Sequence, residues 1–129
     1  MRELKFRAWD SKEKWMDFEF YISSEGEALD YPLITYDTPN TEIEPASHLT
    51  VMQFTGLKDK NGLDIYEGDI LGDGEAVARE VVFEDGAFRL NDNDNHANQL
   101  ISPFPASKML VLGNIHESPD LLRGDKCSQ

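Results

Sequence analysis

The stretch Met52-Gln-Phe-Thr-Gly-Leu-Lys-Asp-Lys-Asn-Gly-Leu-Asp-Ile-Tyr-Glu-Gly-Asp-Ile-Leu71 alternates short apolar runs with Gly- and Asp-containing breaks. It opens inside a strand-like run, Leu49 to Phe54, in which Val51 faces one way and Met52 and Phe54 the other, the period-2 pattern of a pleated strand. Thr55-Gly56 interrupts that pattern before Leu57. Lys58-Asp59-Lys60-Asn61-Gly62 then predicts a hairpin, because Asn and Gly tolerate the positive φ of a tight turn. Leu63, Ile65 and Tyr66 resume the apolar pattern, Glu67-Gly68-Asp69 is a tight break, and Ile70-Leu71 continues. Asp69 is expected to accept hydrogen bonds from nearby backbone N–H groups, as Asp does at turns. If Gly68 has positive φ, Ala or Val there should destabilise the fold.

Working outward, Gly72-Asp73-Gly74-Glu75 reads as a turn. Val77 to Phe83 follows as a strand, with Val77, Val81 and Phe83 sharing a face on which Arg79 intrudes. Glu84-Asp85-Gly86 supplies an Asp-Gly hairpin and Phe88-Arg89-Leu90 pairs back. Short strands separated by Gly turns predict a mainly-β fold with a small SH3-like or bent-barrel core. Asn91 to His96 is a polar loop. Met109 to Leu112 is a continuous apolar run expected to be buried on both faces; Gly113-Asn114 interrupts it and Ile115 resumes it. Ser118-Pro119-Asp120 is the start of a short C-terminal helix, with Ser as cap and Pro at the first helical position.

Toward the N-terminus, Leu4, Phe6 and Ala8 alternate with Lys5, Arg7 and Trp9. Asp10-Ser11-Lys12 turns the chain, and Met16, Phe18, Phe20 and Ile22 then alternate with Trp15, Asp17, Glu19 and Tyr21. This is an N-terminal β-hairpin. Pro32, Pro39 and Pro45 exclude long regular elements between Ser23 and His48, leaving a short strand at Leu33–Tyr36 and a polar loop from Asp37 to Ser47. One domain spans 1–129, divided into a hairpin and loop region (1–47), a barrel-like core (48–122) and a disordered tail (123–129).

The 129 residues carry 12 Lys+Arg against 25 Asp+Glu, a net charge of −13. That surplus repels phosphate backbones and argues against generic nucleic-acid binding, which depends on cations displacing counterions. Arg2, Lys5, Arg7, Lys12 and Lys14 form a local basic group, interspersed with acids as a solvated strand face would be. The sole cysteine, Cys127, rules out an internal disulfide and reads as a tail thiol. No apolar leader or membrane-length run is present, which leads to the expectation of a cytoplasmic protein.

Three clusters invite chemistry. Asp92, Asp94 and His96 have ligand-like spacing, but an EF-hand loop starting at Asp92 needs Gly and Glu where Ala97 and Pro103 stand. Asp59, Asp64, Glu67, Asp69 and Asp73 place five carboxylates in fifteen residues. Paired carboxylates can serve hydrolysis or metals, yet no nucleophile elbow, histidine pair or phosphate loop accompanies these, and turns need the same residues. Trp9, Trp15, Tyr21 and Tyr66 could offer an aromatic contact surface, with core packing as the competing role. The expectation is no catalytic, metal or cofactor site and no enzymatic activity.

The segment from Met52 to Gly62 and on through Ile65 to Ile70, with Phe54-Thr55-Gly56-Leu57, Asp59, Gly62 and Ile65-Tyr66-Glu67-Gly68-Asp69 as its motif, resembles the signature of the YopX family of phage and prophage proteins. The opening Arg2-Glu3-Leu4-Lys5-Phe6-Arg7-Ala8-Trp9-Asp10 and the close from Leu112 to Leu122 resemble that family's two ends. The resemblance implies a mainly-β fold and a phage or prophage setting, and supplies no catalytic residues. Four functions remain open on the sequence. The first is a non-enzymatic module that binds a host or phage protein through Arg7, Trp9, Trp15 and Tyr21, self-association included. The others are an acidic nucleic-acid mimic, a small barrel that binds nucleic acid through the basic hairpin, and a metal-dependent enzyme built on the carboxylates.

Overall fold

A computed structural model describes residues 3–29, 46–72, 78–91, 99–101 and 106–123. The strand expected at Leu33–Tyr36, most of the Asp37–Ser47 loop, Asp73, Val77, Asp92, Asp94, His96 and the tail from Gly124 lie outside the described residues, as does Arg2. The fold is mainly β, with a sheet curled into a half-barrel and a short 3-10 turn near the C-terminus. The chain divides into two compact units, Phe6–Met52 and Met1–Lys5 with Gln53–Gln129.

In the N-terminal unit, strands β1 (Phe6–Asp10) and β2 (Trp15–Asp17) form the expected hairpin, in the register Ala8↔Asp17, Trp9↔Met16 and Asp10↔Trp15. Asp10 organises the turn: its Oδ1 accepts the N–H groups of Lys12 at 2.9 Å and Glu13 at 3.0 Å, and its carbonyl accepts that of Lys14. Lys14 closes the loop with φ 61°. The alternation from Trp15 to Ile22 is not one strand. Asp17 Oδ1 accepts the Glu19 N–H at 2.9 Å, a local side-chain bond that competes with the ladder and breaks it. Phe18 is exposed as a result. Pairing resumes at β3 (Tyr21–Ile22) with β4 (Ala28–Leu29) around a turn in which the Ser23 hydroxyl accepts from Glu25 and Glu27. β5 (Leu49–Lys58) begins here, next to β1, and continues in the other unit.

In the C-terminal unit β5 pairs with β6 (Asp64–Tyr66), Phe54 opposite Tyr66 and Lys58 opposite Asp64. Gly56, at φ +90°, lies in the register shift between those pairs, so the strand bulges there instead of ending. The Thr55 hydroxyl serves the bulge by donating to Ile65 O at 2.8 Å and accepting from the Leu57 N–H. The connecting turn differs from the expected Asn-Gly type. Gly62 alone takes positive φ, and the loop closes through Gly62 N–H to Asp59 O and Asp59 N–H to Leu63 O. At Asp85-Gly86 both residues do adopt positive φ, 52° and 79°, as the tight two-residue hairpin requires.

The second sheet of this unit orders its strands β10 (Gln99–Leu100), β9 (Ala87–Asn91), β8 (Arg79–Glu84), β7 (Asp69–Gly72) and β11 (Leu110–Asn114). Ile65, Leu71, Val81, Leu90 and Ala106 form the buried cluster of this unit, backed by Leu57, Phe88, Ile101, Met109 and Val111. Each large apolar side chain so buried contributes about 1.5–3 kcal/mol. The run at β11 departs from the expectation of burial on both faces, since Leu112 is 44% exposed. A register shift between Val111 and Gly113 accounts for it. Gly113 makes room for Ser118 and Leu121, whose atoms would lie 3.0 and 3.1 Å from a Cβ there. Ser118 precedes the 3-10 helix Pro119–Arg123 as expected.

Candidate functional site

The carboxylates of the central segment are spoken for by the fold. Asp59 is buried; its Oδ1 accepts the N–H groups of Asn61 (2.8 Å) and Leu63 (2.9 Å), and its Oδ2 accepts that of Val111 (3.0 Å). Burial raises the pKa of this carboxyl, but the N–H donors of Val111, Leu63, Asn61 and Gly62 outweigh that and hold it below the ordinary value. Asp64 is likewise held low, by Lys5 at 2.5 Å and Lys58 at 2.6 Å. Lys5 also stacks over the Phe54 ring, 4.3 Å from its centroid. Glu67 accepts the Gln53 N–H and buried Asp69 accepts the Tyr66 N–H at 2.8 Å, the expected turn cap. Gly68 has φ +84°, the condition set for its intolerance of side chains. Each of these four described carboxylates thus has a backbone N–H or lysine partner.

A different arrangement occurs in the N-terminal unit. A cleft of about 220 Å³ is lined by Asp10, Asp17, Glu19, Phe20, Tyr21, Leu29, His48 and Leu49. The β1–β2 turn brings His48 to Asp10: the Ser11 N–H and hydroxyl both donate to His48 O, and His48 Nε2 lies 4.0 Å from Asp10 Oδ2. The N–H of Glu13 foremost, with that of Lys12 and the nearby His48, keeps the Asp10 carboxyl below its ordinary value despite its burial. The Asp17–Glu19 turn aims the next residues, and β3 and β4 supply Tyr21 and Leu29. Chemically the cleft is anionic, with aromatic and aliphatic walls. Among the described residues no group of three His, Cys, Asp or Glu is arranged to hold a metal ion.

Of the four residues expected to form a contact surface, Trp15 and Tyr21 are exposed, Trp9 is half-buried and Arg7 is buried. The Arg7 guanidinium donates toward Met52 Sδ at 3.7 Å. Tyr21 alone of the four lines the cleft. Sequence reading put Asp17, Glu19 and Tyr21 on one strand face, a usable signal for part of the lining. It missed Asp10, Phe20, Leu29, His48 and Leu49, which chain folding gathers from separate elements.

This is a small mainly-β protein with turn-locked glycines and an acidic cleft. It belongs to the YopX family: the family's model, described as YopX protein, matches residues 5–123. Among solved structures it is similar to protein EF1440 from Enterococcus faecalis, with 31% identity and a TM-score of 0.67, covering 95% of this chain and 99% of that one. It is also similar in fold to protein yopX from Bacillus subtilis, at 20% identity and a TM-score of 0.57 over 95% and 99% of the two chains. No curated protein matches. No helix among the described residues is long and apolar enough to cross a membrane.

Proposed function

We propose that this YopX-family chain is a non-enzymatic interaction module whose partner is a host or phage protein. The observation that carries the reading is a cluster of large aromatics left in solvent within one short stretch: Trp15 is 58%, Phe18 61% and Tyr21 52% exposed. Exposed aromatics are costly to leave wet and are the residues most enriched at protein interfaces. The cleft beside Tyr21 is smaller than the roughly 300–1,000 Å³ typical of sites for free small molecules. Of the N-terminal basic residues that a nucleic-acid surface would use, Lys5 is engaged with Asp64 and Arg7 is buried, which leaves Lys12 and Lys14 exposed among those described.

Affinity capture from host lysate, with and without phage infection, tests the reading. The wild-type protein should retain a specific protein at moderate salt that survives nuclease treatment, and Trp15→Ala with Phe18→Ala should abolish retention. Identical recovery on wild type and double variant, or recovery lost on nuclease treatment, would refute it.

A further inference from the structure

We infer that the cleft lined by Asp10, Asp17, Glu19, Phe20, Tyr21, Leu29, His48 and Leu49 is a subsite for one arginine side chain of the partner protein. This rests on the interaction-module reading and adds what the partner must present.

The charge of the lining selects the sign of the occupant. Three carboxylates and one imidazole line the cleft and Lys12 acts on Asp10 from beside it, so the lining is anionic. The chain's net charge of −13 steers cationic partners toward it at long range. Size selects a single side chain, because about 220 Å³ admits little more. The walls then favour arginine. Phe20 and Tyr21 line the cleft with aromatic surface against which a planar guanidinium can pack, and Leu29 and Leu49 add apolar surface for its aliphatic stem. A guanidinium presents several N–H donors in a fork that matches separated carboxylate oxygens, whereas an ammonium is a strongly hydrated point charge.

Within the lining the acids have different duties. Asp10 spends Oδ1 on the turn and holds Oδ2 toward His48, so it contributes fixed negative potential. Asp17 uses one oxygen on the Glu19 N–H, which fixes where Glu19 begins. Asp17 and Glu19 are therefore the acids assigned to the guanidinium, and they are the ones to change.

Backbone-amide NMR of the full chain, titrated with N-acetyl-L-argininamide, tests the inference. Saturable shifts are expected at residues 17–21, 29 and 48–49. N-acetyl-citrullinamide, the neutral isostere, should bind at least about tenfold more weakly, as loss of charge-assisted hydrogen bonds implies. Asp17→Asn with Glu19→Gln should weaken the arginine probe at least about fivefold while the rest of the spectrum keeps its native pattern. Equal binding of the citrulline probe, equal binding of N-acetyl-L-lysinamide, or shifts scattered over acids outside the cleft would each overturn it. The lysate capture separates the two claims. Partner retention that survives the Asp17→Asn/Glu19→Gln change refutes the arginine subsite and leaves the module standing. A saturable, cleft-confined arginine titration with no captured protein supports the subsite and counts against the module.

Discussion

The carboxylates of the central segment and those of the N-terminal cleft are the same chemical groups put to opposite uses. Asp59 and Asp69 are buried and accept backbone N–H groups from residues whose positions define the fold. Asp17 and Glu19 lie on the lining of an open cleft, and Asp17 makes one short-range bond that positions only its neighbour. Density of acids in sequence therefore says little about function. Five carboxylates in fifteen residues turned out, where described, to be scaffold, and three acids spread across ten residues, Asp10 to Glu19, meet at a cleft. What distinguishes Asp59 from Asp17 is the number of backbone donors each one accepts, three against one.

The largest effect is expected at Asp59. Asp59→Ala strips acceptors from Asn61, Leu63 and Val111 and unties the β5–β6 loop from β11. A hydrogen bond to a charged group is worth about 1.5–3 kcal/mol, and buried donors left unsatisfied add to the cost, so a loss of about 3–4 kcal/mol in urea unfolding is expected. A loss below about 1 kcal/mol would erase the distinction between the two sets of acids. Next in size is Gly68→Ala. Left-handed backbone costs a side-chain-bearing residue about 1–2 kcal/mol, and Gly68 sits at φ +84°. Gly62→Ala at φ +83° should cost about 1 kcal/mol from strain alone, since nothing lies within 4 Å of its Cβ position.

These scaffold positions were legible because their causes are local. Gly68 followed by Asp69, and Asp85 followed by Gly86, specify their turns within a few residues, and the structure has both. The Asn61-Gly62 turn exists with a different internal geometry because Asp59, not Asn61, organises it, and its second oxygen depends on Val111, fifty-two positions away. No local pattern encodes that partner. The cleft was illegible for the same reason: His48 reaches Asp10 only once the β1–β2 turn has donated to its carbonyl. Arg7 illustrates the reverse failure. Alternation marked it as an outward residue, and strand β1 buries it along with Ala8.

Acid titration should separate the regions with a smaller effect. Asp59 and Asp64 have folded-state pKa values below the ordinary 3.8, so the folded form binds their protons less readily than the unfolded chain. Their contribution is complete above that value and is lost as pH falls through the depressed values. Unfolding free energy should therefore decline steeply below about pH 4, and Asp59→Asn should flatten the decline. Glu80 carries the opposite sign. Its burial foremost, with Glu84 nearby, raises its pKa above 4.5, so its stability cost builds as pH rises above 4.5 and is complete above the raised value. Glu80→Gln should raise neutral-pH stability by no more than about 0.5 kcal/mol, with no gain at pH 4. A loss at neutral pH would show that the Glu80 carboxylate is a needed acceptor.

The smallest effect on stability is expected where the largest effect on binding is. Asp17→Asn keeps the oxygen that accepts the Glu19 N–H, and Glu19→Gln changes an exposed group, so no backbone donor is orphaned. Both changes also remove negative charge from a lining that holds Asp10 as well. Stability should therefore stay within about 0.5 kcal/mol of wild type, and any change should be a gain that fades with added salt as like-charge repulsion is screened. If the double variant instead loses more than about 1 kcal/mol, Asp17 and Glu19 are structural acids like Asp59. The cleft would then be a by-product of the turn that links β2 to β3. If stability holds while the arginine probe is lost, the acids of the cleft contribute nothing to folding that an amide cannot, and ligand recognition becomes their physical role.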